Sequence, residues 1–503
     1  MSTTIKNPGR TLARASAAKG IRTGEEYVRG LNDGRRLFID GKLVTDVTGY
    51  APLKGVISTI AGMFDVQHTP EYQDIITYVS PATGHRVSKT YMPASTLEEF
   101  QDRLRCDYAR TDLTYGYMGR LTDFMSAILL DLEAGLRAIG KTGAADKVDA
   151  YIEYCRENDL QITHALLDPQ SDRSKPDAPN EAVRVVERRP DGIVVSGVRM
   201  LSTLAPVADE CYVGPYFPRK PGEEEYTLTF VLPMNAPGLK IVARETYDKG
   251  ASLFDRPLTG RFDEGDAILV FDNVFVPTER LLIDGDVEAY NKGRTNAAGY
   301  VGIQAITRST AKLRFLTGLC STVAHANGRD KTPRFQAQIG ELVGLLALSE
   351  GMQQGACVDA ARRVEARRHG QLSHVGDGIS EPTHQASMGA AALNFFYPWV
   401  NTKAIECLRF AAGSGAIAMS EADYQNPEIQ PLLDKWLIGP GIDAEHRLQL
   451  MKLVWDASST EFGSRQALYE RLYSGDPERN AQIWFMHPKR VEAEGMVKRL
   501  LGW

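Results

Sequence analysis

Three stretches with different hydrophobic spacing follow one another along this chain, and their order limits the folds available to it. Apolar side chains first recur at intervals of three and four, as Leu97, Phe100 and Leu104 illustrate, which is the spacing of one face of an α-helix. Residues 180–280 then form short strand-like runs, and helical spacing returns after them. A chain that is helical, then β, then helical predicts an α+β architecture.

The middle stretch contains recognisable strand patterns and one irregular loop. Two β-branched runs, at 183–186 and 193–196, flank a Pro-Asp-Gly turn and predict a β-hairpin. Further strands are predicted at 226–232, 239–242 and 267–276. Residues 214–222 contain too much proline and glycine for regular structure. This loop is either a lid or a long surface turn.

The length of the chain requires more than one core. Single hydrophobic cores stop growing near about 250–300 residues, and this chain has 503. The first 24 residues contain five basic side chains and no acidic one, which predicts a flexible basic arm. We therefore expect an arm (1–24), an N-terminal helical domain (25–155), a β domain (156–290) and a C-terminal helical bundle (291–503).

Charge and cysteine usage exclude several classes of protein. A formal net charge of −6 provides no basic face for nucleic acid. The chain lacks the apolar run of about 18 residues that a membrane span needs. Six cysteines lie far apart without a C-x-x-C pair. This usage is typical of reduced thiols in a cytoplasmic protein and gives no zinc site or disulfide framework.

The most informative local motif is the decapeptide Tyr-Gly-Tyr-Met-Gly-Arg-Leu-Thr-Asp-Phe at residues 115–124. Gly119 allows the backbone to bend or to approach another group closely. Arg120 follows at once and presents a planar, permanently charged fork suited to an anionic or oxygen-rich ligand. A plain helix-entry turn with a solvated arginine is the alternative interpretation.

Three further segments, taken together with this decapeptide, carry a family resemblance. They begin at Arg22, Thr163 and Thr259, and they read Arg-Thr-Gly-Glu-Glu-Tyr, Thr-His-Ala and Thr-Gly-Arg-Phe-Asp-Glu. In this order and spacing the chain resembles the oxygenase component of the two-component flavin monooxygenases. That family includes 4-hydroxyphenylacetate 3-monooxygenase and the chlorophenol monooxygenases. Matching segments extend from about residue 22 to Ser474.

The resemblance implies a fold and an activity. The fold would be acyl-CoA-dehydrogenase-like, with a β-barrel domain over residues 156–290 between two helical regions. The activity would be hydroxylation of an aromatic or heteroaromatic compound by O2 through a C4a-hydroperoxyflavin. A separate flavin reductase would supply reduced FAD (FADH2), and the oxygenase would be a homotetramer.

The resemblance also implies a set of site residues. Catalysis is assigned to Arg120 and His164, although a lone histidine between apolar neighbours is often only a packed core residue. The implied substrate pocket consists of Tyr117, Phe124, Leu204, Ala205, Tyr300 and Val301. The implied flavin-binding residues are His164, Ala165, Leu166, Arg173, Thr203 and Gln336. Thr203 is alternatively an ordinary turn residue, and Arg173 could equally form an ion pair with Asp168.

One further cofactor-binding segment follows from its own chemistry. Gly439 and Gly441 precede Asp443 at a helix start, where backbone N–H groups and the helix dipole favour an anion. A plain helix cap explains the same residues equally well.

Phe124 departs from the pattern of the resembled family. Its phenol-hydroxylating members have a tyrosine at this position, which hydrogen-bonds the substrate phenol. A phenylalanine has no hydroxyl, so we expect a substrate that lacks a phenol at the usual place or presents it to His164 and Arg120 alone. Alternatively, Tyr117 or Tyr300 supplies the hydroxyl from another direction.

Two other classes of protein compete with the monooxygenase. One is a lyase like 4-hydroxybutyryl-CoA dehydratase, whose iron–sulfur cluster needs three cysteines and a histidine. Cys106 has no nearby second cysteine, which disfavours this class. The other is a non-catalytic flavin-binding homologue, which Phe124 mildly supports and the retained Arg120 and His164 oppose.

Overall fold

A computed structural model of the protein describes residues 20–170, 172, 174, 181–293, 298–368 and 388–503. The N-terminal part holds six helices and four short strands. They are α1 (Gly24–Gly30), β1 (Arg36–Ile39), β2 (Lys42–Val44), α2 (Lys54–Asp65), α3 (Gln73–Ile76), β3 (Thr77–Val79), β4 (Arg86–Ser88), α4 (Leu97–Asp112), α5 (Thr122–Ala138) and α6 (Thr142–Glu157).

The middle part is mainly strand. Its elements are β5 (Ile162–Ala165), β6 (Arg184–Arg189), β7 (Gly192–Thr203), β8 (Glu210–Val213), β9 (Leu228–Pro233), β10 (Leu239–Ala243), α7 (Thr259–Phe262), β11 (Asp266–Pro277), β12 (Leu281–Asp284) and α8 (Val287–Lys292). The predicted hairpin is confirmed, because β6 and β7 pair antiparallel. The strands predicted at 226–232, 239–242 and 267–276 correspond to β9, β10 and β11.

The C-terminal part is helical. Its elements are α9 (Tyr300–Ala326), α10 (Pro333–Arg368), α11 (Met388–Ala391), a π-helical turn (Ala392–Phe396), α12 (Tyr397–Ala412), α13 (Glu421–Tyr424), α14 (Gln430–Trp436), α15 (Ala444–Ser458), α16 (Glu461–Leu472), α17 (Pro477–Phe485) and α18 (Pro488–Leu501). Helix α9 is buried on most of its faces, as expected for a central helix. It packs against α4, α5, α10 and α12.

The strands of the middle part form two sheets. The larger has the order β2-β1-β10-β11-β7-β6, and the smaller has the order β12-β9-β8-β5. The sheets pack together where Phe230 of β9 meets Phe271 of β11, with ring centroids 5.8 Å apart. The hydrogen-bonded order places the strands of the middle part in two separate sheets, so closure into one barrel stays a prediction.

The spacing of apolar residues predicts a helical N-terminal part, but the structure also has strands there. Strand β1 pairs parallel with β10, joining Leu37 to Ile241 across about two hundred residues of chain. No local pattern reveals such a pairing. The predicted domain boundary at residue 155 therefore separates strands that belong to one sheet.

The predicted flexible arm is shorter than residues 1–24. Residues 1–19 lie outside the described part of the chain, but Gly20 donates its backbone N–H to the carbonyl of Glu157 at 3.2 Å. The Arg22 guanidinium forms an ion pair of 2.5 Å with Asp209, and Thr23 caps α1. Residues 20–24 thus belong to the folded protein.

The irregular loop at 214–222 has no helix or strand, as predicted. It is nevertheless anchored, because Arg219 is buried and forms a 2.6 Å ion pair with Asp168. The Arg219 backbone also donates to Asn291 at 2.8 Å. Among the helices that the structure describes, none is long and apolar enough to cross a bilayer.

Candidate active site

The loop between α4 and α5 places Arg120. Gly116 has a left-handed φ of 70°, and a Cβ there would lie 2.4 Å from the carbonyl oxygen of Arg308. At Gly119 a Cβ would lie 2.0 Å from the hydroxyl oxygen of Tyr469. Both glycines of the decapeptide are therefore required by close approach of the C-terminal helices.

Glu264 fixes this loop from the middle part of the chain. Its carboxylate accepts the backbone N–H groups of Gly119 at 2.9 Å and Arg120 at 3.2 Å. Its second oxygen forms an ion pair of 2.8 Å with Arg465 of α16. One buried carboxylate thus joins three parts of the chain beside Arg120.

The Arg120 side chain lies among aromatic rings. Its guanidinium carbon is 4.0 Å from the ring centroid of Phe124, 4.3 Å from that of Tyr473 and 5.5 Å from that of Tyr469. These are cation–π distances. The Nε of Arg120 is buried and has no hydrogen-bond partner among the residues that the structure describes.

His164 also contacts Phe124, the phenylalanine that the Arg120 guanidinium contacts. Strand β5 carries it and pairs parallel with β8. Its ring centroid is 5.7 Å from that of Phe124 at an interplanar angle of 61°. The two residues predicted to be catalytic are therefore brought together around Phe124.

The turn after β7 borders this site. Thr163 donates its hydroxyl to the carbonyl of Thr203 at 2.5 Å, which ties β5 to β7 next to His164. Leu204 follows in a left-handed conformation with φ 66°. A buried leucine in this conformation stores backbone strain, and such strain is concentrated at functional sites. Ala205 is also buried here.

A charged network supports the turn. Asp266 accepts the hydroxyl of Thr203 at 2.9 Å and forms ion pairs with Arg465 at 2.8 Å and Arg244 at 3.1 Å. Burial alone would raise the pKa of Asp266, but the two arginines hold it well below its usual value. Thr203 therefore uses its hydroxyl hydrogen within the protein, and its hydroxyl can only accept from a ligand.

A second charged network lies beside the rings of Tyr469 and Tyr473. Glu470 pairs with Arg308 and, at 2.9 Å, with Lys312. Burial would raise the pKa of Glu470, but these two cations lower it to about 2. Burial lowers the pKa of Lys312 to about 8, with Arg308 adding to the effect and Glu470 opposing it. The Arg308 guanidinium lies 5.3 Å from the ring centroid of Tyr473.

Comparison with known proteins identifies the family. The profile of the 4-hydroxyphenylacetate 3-hydroxylase N-terminal region matches residues 23–283, and that of the C-terminal region matches residues 292–502. The chain belongs to the 4-hydroxyphenylacetate 3-hydroxylase family.

Several relatives are similar over almost the whole chain. The 4-hydroxyphenylacetate 3-monooxygenase oxygenase component of Thermus thermophilus is 34% identical, over 92% of this chain and 94% of the relative. The pyoverdin chromophore biosynthetic protein PvcC of Pseudomonas aeruginosa is 31% identical, over 97% and 96%. The 4-nitrophenol 2-monooxygenase oxygenase component of Rhodococcus is 31% identical, over 91% and 86%.

Solved structures agree with this assignment. The oxygenase component HpaB in complex with FAD and 4-hydroxyphenylacetate superposes with a TM-score of 0.84 at 32% identity, covering 96% of this chain and 99% of that one. A 4-hydroxybutyryl-CoA dehydratase from N. maritimus has a TM-score of 0.80 at 18% identity, covering 96% and 95%, and shows the shared fold alone. The expected acyl-CoA-dehydrogenase-like fold and the expected flavin-dependent monooxygenase oxygenase component are confirmed.

The site suits the FAD of this family. Besides the Arg120 Nε, the hydroxyl of Tyr473 is buried beside Arg120 without a hydrogen-bond partner in the described part of the chain. Native proteins rarely leave buried polar atoms unsatisfied, so such a group indicates a missing ligand. Within the same ranges no cluster of side chains could hold a metal ion.

Two of the predicted pocket tyrosines have other roles. The Tyr300 hydroxyl donates to the carbonyl of Ala94 at 2.9 Å and accepts its N–H at 2.8 Å. Burial raises the pKa of Tyr300 to about 12. Neighbouring Val301 is held by its backbone N–H, which donates to Asp131 at 3.0 Å. The hydroxyl hydrogen of Tyr300 is therefore used within the protein in this structure, and its supply to a substrate stays a prediction.

Tyr117 lies in a different aromatic cluster from Arg120. Its ring stacks on Phe262 with centroids 6.2 Å apart and contacts Phe315 and Phe462. Lys312 lies 4.6 Å from its ring centroid. Tyr117 thus packs the underside of the loop, which gives it a structural role.

The residues after His164 contact the sheets. The carbonyl of Ala165 accepts the N–H of Gly214 at 3.3 Å, and that of Leu166 accepts Arg199 at 3.0 Å. Asp168 pairs with Arg199 at 2.5 Å as well as with Arg219. Arg173 lies outside the described residues, so its flavin contact stays a prediction.

The predicted anion cradle acts as a helix cap in this structure. Asp443 accepts the N–H of His446 at 2.8 Å and so caps α15. A Cβ at Gly439 would lie 2.3 Å from the carbonyl oxygen of Ala326, at the end of α9. Eighteen residues of α9 separate Ala326 from Arg308, a helical distance of about 27 Å. One flavin ring cannot contact both places within a single chain.

Gln336 is exposed on the first turn of α10. Its backbone N–H donates to the carbonyl of Thr332 at 3.1 Å. An exposed position agrees with the expected contact to a neighbouring subunit, which stays a prediction.

Sequence reasoning missed the C-terminal side of the site. Arg465, Tyr469 and Tyr473 recur every four residues and so occupy one face of α16 and its end. This ladder of one arginine and two tyrosines was a usable signal. The role of Glu264 carried no local signal, because its partners lie far away in sequence.

Proposed function

We propose that this protein hydroxylates an aromatic ring that binds against Phe124, between Arg120 and His164. It receives reduced FAD from a separate flavin reductase and uses O2 as co-substrate. The observation that carries this proposal is the contact of Phe124 with both predicted catalytic side chains, at 4.0 Å and 5.7 Å. Relatives that act on 4-hydroxyphenylacetate and 4-nitrophenol support a small aromatic substrate.

The side chains around Phe124 have separable tasks. Arg120 presents a permanent positive charge in surroundings from which the aromatic rings exclude water, which strengthens its attraction for an anionic oxygen. The two ring nitrogens of His164 can donate or accept hydrogen bonds beside Phe124. The Phe124 ring gives the substrate an apolar surface for stacking.

The flavin-binding residues lie on the β5 and β7 side. Reduced FAD, when bound, supplies the oxygen-activating chemistry. The hydroxyl of Thr203, whose hydrogen is used on Asp266, would accept a hydrogen bond from the flavin, and the strained turn at Leu204 would hold that hydroxyl in place. Ala165, Leu166 and Arg173 complete this side by resemblance, and Gln336 and the Gly439–Asp443 segment would serve a neighbouring subunit.

Self-association as a homotetramer fits the C-terminal surface. The segment from α17 to the last residue exposes large apolar side chains, with Leu500 85% exposed, Trp503 84% exposed and Met486 74% exposed. Exposed apolar side chains concentrated in one segment favour an interaction surface. We also retain, as proposals, closure of the two sheets into a barrel and the division into domains 25–155, 156–290 and 291–503.

A product assay tests the proposed function. The protein is mixed with FAD, NADH and an unrelated flavin reductase under 18O2, with 4-hydroxyphenylacetate, 4-nitrophenol and indole-3-acetate as test compounds. We expect at least one product that carries a single 18O atom. Oxidation of the flavin with every compound unchanged would contradict the proposal.

A further inference from the structure

Phe124 leaves the substrate site without the hydroxyl that its family position usually provides, but another tyrosine lies beside it. The ring centroid of Tyr473 is 6.4 Å from that of Phe124, and the two rings meet edge to face at 75°. The same tyrosine lies 4.3 Å from the Arg120 guanidinium. Tyr473 therefore borders the space in which Phe124, Arg120 and His164 meet.

The hydroxyl of Tyr473 is a buried polar group whose hydrogen bonds are unsatisfied within the described ranges. An unsatisfied buried hydroxyl lowers stability unless a ligand satisfies it. Burial raises the pKa of Tyr473, although Arg120 and Arg308 act against this. The hydroxyl thus stays protonated at neutral pH and can donate a hydrogen bond.

Tyr469 and Tyr117 also have buried hydroxyls without a partner in the described part of the chain, but their positions suit this role less well. The hydroxyl of Tyr469 lies against the backbone of Gly119, 2.0 Å from the position of an added Cβ. Tyr117 belongs to the cluster around Phe262. Tyr300 uses its hydroxyl hydrogen on Ala94.

We propose that Tyr473 donates the substrate hydrogen bond that Phe124 cannot, so that the site selects aromatic rings carrying a phenolic oxygen. The proposal rests on the proposed function, because it places the substrate against Phe124. Arg120 then neutralises charge on the same oxygen. The hydrogen-bond donor thus lies at the end of α16, at Tyr473, and not on α5, where the resembled family has its tyrosine at the position of Phe124. Tyr473 thereby keeps a phenolic substrate possible despite Phe124, whereas Phe124 alone predicts a ring that lacks a phenol at the usual place or presents it to His164 and Arg120 alone.

Binding measurements separate this proposal from a structural role. Three phenols (4-hydroxyphenylacetate, 4-nitrophenol and 2,4,6-trichlorophenol) and their analogues without the hydroxyl are titrated anaerobically into the protein loaded with reduced FAD. For the tightest phenol we expect Tyr473→Phe to weaken binding at least tenfold and to leave its analogue unchanged. A site built to hydrogen-bond a hydroxyl discriminates strongly against its absence.

Two further variants complete the experiment. Tyr290→Phe is the matched control, because it also removes a buried hydroxyl without a partner in the described part of the chain, outside this site. It should leave phenol binding unchanged. The double variant Phe124→Tyr with Tyr473→Phe should recover most of the lost affinity, because it returns the hydroxyl to α5.

The outcomes are decisive in both directions. The proposal is overturned if wild-type protein binds no phenol more tightly than its analogue, or if Tyr473→Phe keeps the preference for the phenol. The 18O assay is scored separately. Phenol selectivity that depends on Tyr473 without any labelled product would refute the proposed function and leave the binding role of Tyr473 intact.

Discussion

Two glycine-containing loops of this protein look alike in sequence and differ in structure. The loop at 113–121 is fixed by Glu264, a carboxylate that is fully buried and accepts two backbone N–H groups. The loop at 437–443 ends at Asp443, which is 61% exposed, caps helix α15 and accepts a hydrogen bond from the nearby His446. The first loop places an arginine among aromatic rings, and the second starts a helix.

The difference shows that a glycine motif becomes a site through partners from distant parts of the chain. Arg120 is surrounded by residues of α5, α16 and the segment before β11. Asp443, in contrast, accepts from a residue three positions along the chain, His446. The variants below change the surroundings of the first loop, and the second loop supplies the control in all but the acid experiment.

The largest effect is expected for the two side chains that flank Phe124. Arg120→Ala and His164→Ala should each lower product formation by about 10²–10³, because each removes a group aimed at developing charge. His446→Ala at the second loop is the matched control and should keep wild-type turnover. Rates of labelled product per flavin oxidised measure the effect. Near-normal product formation in both variants would show that the site lies elsewhere.

The two carboxylates give the next comparison. Glu264→Gln should reduce the free energy of unfolding by about 1–3 kcal/mol, because it removes a charged acceptor from buried donors. It should also lower the rate of product formation, since Arg120 loses its fixed position. Asp443→Asn retains a capping side chain and should leave both quantities nearly unchanged. Urea unfolding of the variants measures stability, and equal losses would remove the distinction between the loops.

Acid should weaken the first region through Glu470. Its folded pKa of about 2 lies below the ordinary 4.5, so its contribution to stability is complete above pH 4.5 and is lost as the pH falls toward 2. We therefore expect the urea midpoint of wild-type protein to fall between pH 5 and pH 3. Glu470→Gln should be less stable at pH 5 and should show a smaller fall. Parallel falls in the two proteins would exclude this cause.

The glycines give the smallest difference. Gly119→Ala should cost about 1–3 kcal/mol, because the added methyl group meets the Tyr469 hydroxyl in a packed site. Gly441→Ala makes only an ordinary contact, 3.8 Å from the Nε2 of His325, but φ is 68°, so it should cost about 1–2 kcal/mol. Only Gly119→Ala should also slow product formation. Tyr469→Phe combined with Gly119→Ala should recover part of that loss, and a complete lack of recovery would count against this contact.

Local patterns in the sequence predicted the elements but not their contacts. The hairpin of β6 and β7 and the strands β9, β10 and β11 were each predicted from residues close together in the chain. The pairing of β1 with β10 does not depend on such residues, so it was missed. Tyr473 was missed for the same reason, because its neighbours Phe124 and Arg120 precede it by about 350 residues.

The resemblance predicted the chemistry, and the structure corrected its details. Arg120 and His164 meet around Phe124 as expected. Tyr300, at the start of α9, does not join them in this structure, because its hydroxyl hydrogen-bonds the backbone of Ala94. The sequence could not show this, since whether a tyrosine hydroxyl is available depends on the backbone group that reaches it in the fold.

A crystal structure of the protein with FAD and a bound phenol tests the central claim most directly. The account predicts that the flavin ring contacts Thr203 and His164, with the phenol oxygen within hydrogen-bond distance of Arg120 and Tyr473. A flavin ring bound at the Gly439–Asp443 segment, with no ligand beside Phe124, would contradict it.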